Sequence, residues 1–138
     1  MTNEAVTIEL GPNQGHPVRR TCDNATAIAK GTLLRLWDNN QCSGSTAAEI
    51  GSIPFAGIAV EEKTISDGLT QISAYTEGVF DLLSTDASLT TAGQICSLSG
   101  ANSVKLCTEA ELVLGAAVGK TEEAGADQEV IRVRLIGH

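Results

Sequence analysis

Apolar and polar residues alternate with a period of two along most of this chain, the spacing of half-buried strands and not of helices. Ala5-Val6-Thr7-Ile8-Glu9-Leu10 puts Val6, Ile8 and Leu10 on one face. Near the other end, Ile131, Val133 and Leu135 point one way and Arg132 and Arg134 the other. Further strands are predicted at 32–37, 94–98, 103–107 and 128–136, with a long extended segment over 70–83 broken at Gly78. The run from Pro54 to Glu62 is mostly apolar and holds Gly57, which suggests a bulge or a close backbone approach. One short helical turn is predicted at 46–50, after a polar loop at 38–45. No stretch sustains a 3.6-residue apolar period beyond two turns.

The pattern is said twice. Gly57-Ile58-Ala59-Val60 is followed by a polar turn and then Thr70-Gln71-Ile72-Ser73-Ala74-Tyr75. Gly115-Ala116-Ala117-Val118, 58 positions on, leads through 122–127 to Glu129-Val130-Ile131-Arg132-Val133. Upstream, Lys30-Gly31-Thr32-Leu33-Leu34 answers to Ala92-Gly93-Gln94-Ile95-Cys96. Two copies are too few for a solenoid, so one mainly β domain is expected, a small barrel or sandwich built from a duplicated β-unit. It spans 25–138, with copies at about 28–83 and 89–137. Residues 1–24 read as an N-terminal arm and linker, because Gly11-Pro12-Asn13-Gln14-Gly15-His16-Pro17 uncouples the first strand from the body. That strand is either an edge strand of its own domain or one offered to a neighbour, since both satisfy its backbone groups.

Composition agrees with a β scaffold. A chain of 138 residues suits one domain, and with 42% apolar but 3% aromatic residues its core rests on Val, Ile, Leu and Ala. The net charge of −8 is concentrated beyond residue 60, where five basic side chains face twelve acidic ones. Such a body disfavours nucleic acid as a partner. Only Arg19, Arg20 and Lys30 reverse the sign locally, as a solvated loop or as a basic arm for an acidic partner. No leader pattern opens the chain, and no apolar run is long enough to cross a bilayer as a helix.

Reactive chemistry is sparse. Gly115-Ala116-Ala117-Val118-Gly119-Lys120-Thr121 has three residues between its glycines where a phosphate loop needs four, and acidic residues follow it. His16 and His138 lie in the linker and at the last position, where no rigid scaffold orients them for catalysis. Glu61 and Glu62 are neighbours, so along a strand they face apart. Cys22, Cys42, Cys96 and Cys107 show no close metal-ligand spacing and are expected as reduced thiols, with a Cys96–Cys107 disulfide across a hairpin still open. Trp37, Phe55, Tyr75 and Phe80 suit a core or subunit contacts better than a ligand cage. No catalytic group, cofactor or metal is expected.

The residues carry a resemblance. Gly31-Thr32-Leu33-Leu34-Arg35-Leu36, a polar loop, Phe55-Ala56-Gly57-Ile58-Ala59-Val60 and then Thr70–Phe80 resemble the lambda-type head decoration proteins of tailed phages. The second copy, ending Val130-Ile131-Arg132-Val133-Arg134-Leu135, is similar to the related two-copy family of capsid cement or capsid fibre proteins. The resemblance covers roughly 28–137 and implies a β-tulip-like domain with an extended N-terminal arm. It implies a non-enzymatic virion protein, made in the host cytoplasm and placed on the exterior of the capsid, commonly as trimers. Its partners would be the major capsid protein and itself, with neither nucleic acid nor membrane involved. Val6, Thr7, Ile8, Glu9 and Leu10, with Arg19 and Arg20, then become capsid-binding candidates, and Trp37, Phe55 and Phe80 candidate oligomer contacts. The alternative is another virion β-module, such as a tail or fibre component.

Overall fold

Alternation becomes strands wherever the partner strand can bury the apolar side. The computed structural model describes residues 5–9, 17–22, 27–37, 41–44, 54–66, 68–86, 88–89, 91–99, 103–123 and 129–135. These form β1 (Val6–Glu9), β2 (Val18–Thr21), β3 (Leu33–Trp37), β4 (Gln41–Gly44), β5 (Phe55–Ala59), β6 (Gln71–Tyr75) and β7 (Val79–Ser84). They continue as β8 (Ile95–Leu98), β9 (Ser103–Leu106), α1 (Glu109–Leu114), β10 (Ala117–Glu123) and β11 (Val130–Leu135). The protein is mainly β, as its periodicity implies.

Two sheets repeat one topology. The first runs β2-β6-β5-β3-β4, and the second runs β7-β11-β10-β8-β9 with β1 added on β7. Replacing each strand of the first by the strand five places later gives the second. The second closes on itself through parallel pairing of β7 with β9, Leu83↔Ser103 and Ser84↔Val104. In the first, a parallel bridge between Cys22 and Cys42 joins the same two ends. The duplication is therefore one of backbone pairing as well as of letters.

Register corrects the alignment of the copies. Leu34 pairs with Gly57 and Arg35 with Phe55, leaving Ala56 as a bulge. Cys96 pairs with Gly119 and Ser97 with Ala117, leaving Val118 as the matching bulge. The counterpart of Gly57 is thus Gly119, not Gly115, and the separation is 62 residues, as from Leu34 to Cys96 and from Cys42 to Val104. Gly31 and Gly93 obey the same step. Their amides donate to Ala59 O at 2.9 Å and to Thr121 O at 2.7 Å, and both have positive φ, +80° and +90°. Beyond β10 the separation drops to 59, since Ile72↔Arg20 answers to Ile131↔Leu82. The loop into β11 is accordingly three residues shorter than the loop into β6.

Both glycines are required by contact. A Cβ on Gly57 would lie 2.7 Å from Tyr75 O and 2.9 Å from Ala74 Cβ, at a φ of +130°. A Cβ on Gly119 would run into the backbone oxygen of Arg134, the residue in the place of Tyr75. Bulge and glycine together let each sheet twist hard enough to bring its two end strands together.

The interior follows from these phases. Cys22, Ile28, Leu34, Cys42, Ala56, Ala59, Ile72 and Ala74 fill the first ring. The larger cluster joins Leu82, Cys96, Leu98, Val104, Val118, Ile131 and Val133 to Leu33, Phe55 and Ile58 from the first copy. β5 is therefore buried on both faces, which is why its sequence is a nearly unbroken apolar run.

Three elements depart from the expectation. β2 lies in the stretch read as linker, and β4 in the stretch read as a polar loop. Neither carries clear alternation, because their neighbours β6 and β3 supply the pairing. Residues 109–114, where no helix was expected, form α1. Thr108 caps it through the Glu111 amide, Glu111 reaches back to the Thr108 amide, and Gly115 ends it in the left-handed region. The helical turn predicted at 46–50 lies outside the described residues.

Gly119→Ala should destabilise the protein by about 1–3 kcal/mol, and Gly57→Ala comparably, as overpacked sites do. Gly93→Ala, where a Cβ meets nothing within 4 Å, should show only the strain of its φ of +90° and no overpacking. Urea unfolding of the three variants measures this. Equal midpoints for Gly119→Ala and the parent protein would show that the close approach is not a constraint.

Candidate partner-binding surface

β1 is held in place by its backbone. The Ala5 amide donates to Gly31 O at 3.1 Å, and β1 pairs antiparallel with β7 through Val6↔Asp81, Thr7↔Phe80 and Glu9↔Val79. The register slips between Thr7 and Glu9, so Ile8 occupies a bulge and stays 42% exposed. β7 is thereby shared along one edge, its first half taken by β1 and its end by β9. Of the two readings of this strand, the structure draws an edge strand of its own sheet. Among the described residues nothing pairs with its outer edge. Leu10 and the side chains of Val6 and Glu9 lie outside the described set.

The other candidate contacts are dispersed. Arg19 and Arg20 sit on β2, in the other sheet from β1. Arg19 Nη1 donates to Ser73 Oγ at 3.0 Å and lies 3.7 Å from Glu61 Oε1, with both charged ends half exposed. Arg20 Nε donates to the Ala56 carbonyl at 3.2 Å and so braces the bulge of β5. Phe55 and Phe80 are not surface contacts: both are buried in the larger core, Phe80 against Tyr75 with ring centroids 5.6 Å apart. β5 is covered on both faces, and β7 turns Phe80 inward with Leu82 and Ser84. The Trp37 side chain lies outside the described residues.

A surface that periodicity missed sits on α1. Leu112, Val113 and Leu114 are all exposed, Val113 at 85%, because only Glu111 of this helix is turned inward. The signal was present as Thr108-x-x-Glu111 ahead of an apolar run and Gly115. Lys105 Nζ approaches Glu111 Oε2 to 2.8 Å, tying α1 to β9. Burial raises the Glu111 carboxyl, but Lys105 and the Thr108 amide and hydroxyl outweigh it, so the net shift is downward. Asp86 is also lowered, chiefly by the Ser88 amide at 2.8 Å and the Leu106 amide at 3.0 Å.

The remaining chemistry is modest. Residues 115–121, tested above as a phosphate loop, form the cap of α1 and the start of β10. Among the described residues no cluster of His, Cys, Asp or Glu could hold a metal ion. A cleft of about 100 Å³ between β1 and the first ring is lined by Thr7, Lys30, Ile58, Tyr75 and Phe80, well below the ~300 Å³ at which ligand pockets begin. All four cysteines are thiols. Cys96 pairs with Leu106, and the Cys107 amide bonds to Ile95, so the two sulfurs belong to opposite faces of their hairpin. The cysteines that meet directly are Cys22 and Cys42. No family model matches the chain, and no curated protein matches it.

Glu111 and Asp86 carry folded pKa values below their unfolded ones, so the unfolded chain takes up protons first. Their stabilisation is complete above the unfolded values, 4.5 and 3.8, and is lost as pH falls below them. Melting temperature should therefore be level from pH 7 to about 5 and drop below that. Asp86→Asn with Glu111→Gln should melt lower at pH 7 and show a smaller acid drop. A double variant with the parent's full acid drop would place the titrating groups elsewhere.

Proposed function

We propose that this chain is a non-enzymatic structural protein that binds the outer surface of an assembled phage capsid and stabilises it. The observation that carries the reading is the position of β1. It is an N-terminal strand at the rim of a closed ring, joined to the next strand across a breaker-rich stretch, with an exposed apolar residue at its bulge. The sequence resemblance to decoration proteins adds the kind of partner, the major capsid protein, and a trimeric arrangement.

A cement acts by binding the finished lattice and not the loose subunit, so its binding free energy adds to lattice stability by mass action. Strand addition suits this role, since backbone hydrogen bonds supply affinity and side chains at alternate positions supply selectivity. Each arm contributes little alone. Burying an apolar side chain is worth roughly 1.5–3 kcal/mol, and fixing each residue costs about 1–2 kcal/mol. Binding therefore depends on several arms and bodies engaging together, which is the arithmetic of multivalency.

The ring of β7, β11, β10, β8 and β9 closes without β1. Removing residues 1–15 should leave a folded, soluble body that melts a few degrees lower, while binding to heads falls at least about tenfold. Ile8→Asp is the sharper test, because Ile8 is exposed in the free protein. It should leave the melting temperature within about 2 °C of the parent, as surface substitutions do, and weaken head binding strongly. Co-sedimentation with heads reads both. Unchanged binding by the two variants would remove the arm from the interface, and heads that release DNA at one temperature with and without the protein would remove the cement role.

A further inference from the structure

The seams that close the two rings are built differently. In the second ring β7 and β9 make two parallel pairs, reinforced by the Thr85 amide to Val104 O at 3.0 Å. At the matching place in the first ring the described residues show one bridge, Cys22↔Cys42. Cys22 stands where the second copy has Ser84, and Cys42 where it has Val104. Both cysteines are buried, at 1% and 2% exposure, in the small cluster that fills the first ring.

From this juxtaposition we infer that Cys22 and Cys42 are a disulfide-forming pair, a covalent staple that locks the first ring shut when the protein meets an oxidising disulfide. Paired strands run about 4.7–4.9 Å apart, and directly opposed residues send their side chains to the same face. A disulfide needs its two Cα atoms roughly 4.4–6.8 Å apart, so the pair is placed for closure with little backbone movement. Neither Cys96 nor Cys107 has a cysteine directly opposite.

The chemistry balances with a small disulfide such as oxidised glutathione as the oxidant. One cysteine loses its proton and attacks a glutathione sulfur, expelling one glutathione thiolate and leaving a mixed disulfide. The second cysteine loses its proton and attacks the protein-bound sulfur, expelling the other thiolate. The two released protons go to the two glutathione thiolates. The protein loses two electrons, and the oxidant gains them.

Reaction in the native state is slow for a stated reason. Burial, with the neighbouring Cys22 and against the opposing Arg20, pushes the Cys42 thiol up to about 11. Attack then requires the seam to open. This staple is independent of what the protein binds, and its test needs no capsid.

The full chain is incubated with oxidised glutathione, with and without a sub-denaturing concentration of urea, then alkylated, digested without reduction and mapped by mass. A Cys22–Cys42 linked peptide should form, faster in urea, and the oxidised chain should melt roughly 5–15 °C higher than the reduced one. The Cys96→Ala, Cys107→Ala variant should behave as the parent does, which keeps the test informative if a Cys22 or Cys42 variant fails to fold. Linkage through other cysteines with no Cys22–Cys42 peptide would overturn the assignment. So would a linked peptide accompanied by an unchanged or lowered melting temperature.

Discussion

The close approach of β6 to Gly57, repeated as β11 to Gly119, is the constraint on which the architecture rests. No side chain fits between the glycine and the facing carbonyl, so the two strands meet at a distance only backbone allows. The bulge immediately before each glycine turns Ala56 and Val118 into the ring and throws the strand into a tighter twist. From that twist follows the rest: a sheet whose two end strands come round to meet in parallel, and a core that needs only small and branched aliphatic side chains. The scarcity of aromatic residues is then a consequence of ring size. The interior of the first ring holds alanines, cysteines, leucine and isoleucine, and Phe55 is kept outside it, between the two units.

The same constraint explains what could be read from the chain. Strands such as β3, β8 and β11 were legible because one face is apolar and the other meets water or a neighbour. The pairing of Gly31 with Gly93 was legible too, since each opens a strand in the same hydrogen-bonded turn. Matching Gly57 to Gly115 failed because both precede an apolar run, and letters alone do not say which glycine faces a carbonyl and which caps a helix. α1 was hidden by its shortness. With six residues and only Glu111 inward, it has no apolar stripe, and its signature is the capping box and Gly115. β2 and β4 escaped because their place is set by partners far along the chain, a cause that no local window contains.

Candidate contacts were legible in proportion to how local their causes are. The alternation in residues 5–10 correctly marks a strand, but which edge receives it depends on β7, some seventy positions on. Phe55 and Phe80 looked like contacts because aromatic side chains are rare here, whereas the second copy packs onto the first and takes them inside. The Cys22–Cys42 bridge arises only from the three-dimensional arrangement. The fold offers a double ring with a strand at its rim, the feature on which the proposed role rests.

The most direct test of the decoration account is a difference reconstruction of phage heads carrying the protein and heads lacking it. The account predicts density on the outer head facets, grouped in threes, with the N-terminal strand at the rim of each body meeting a sheet edge of the capsid subunit. Identical heads, or added density confined to the tail, would contradict it.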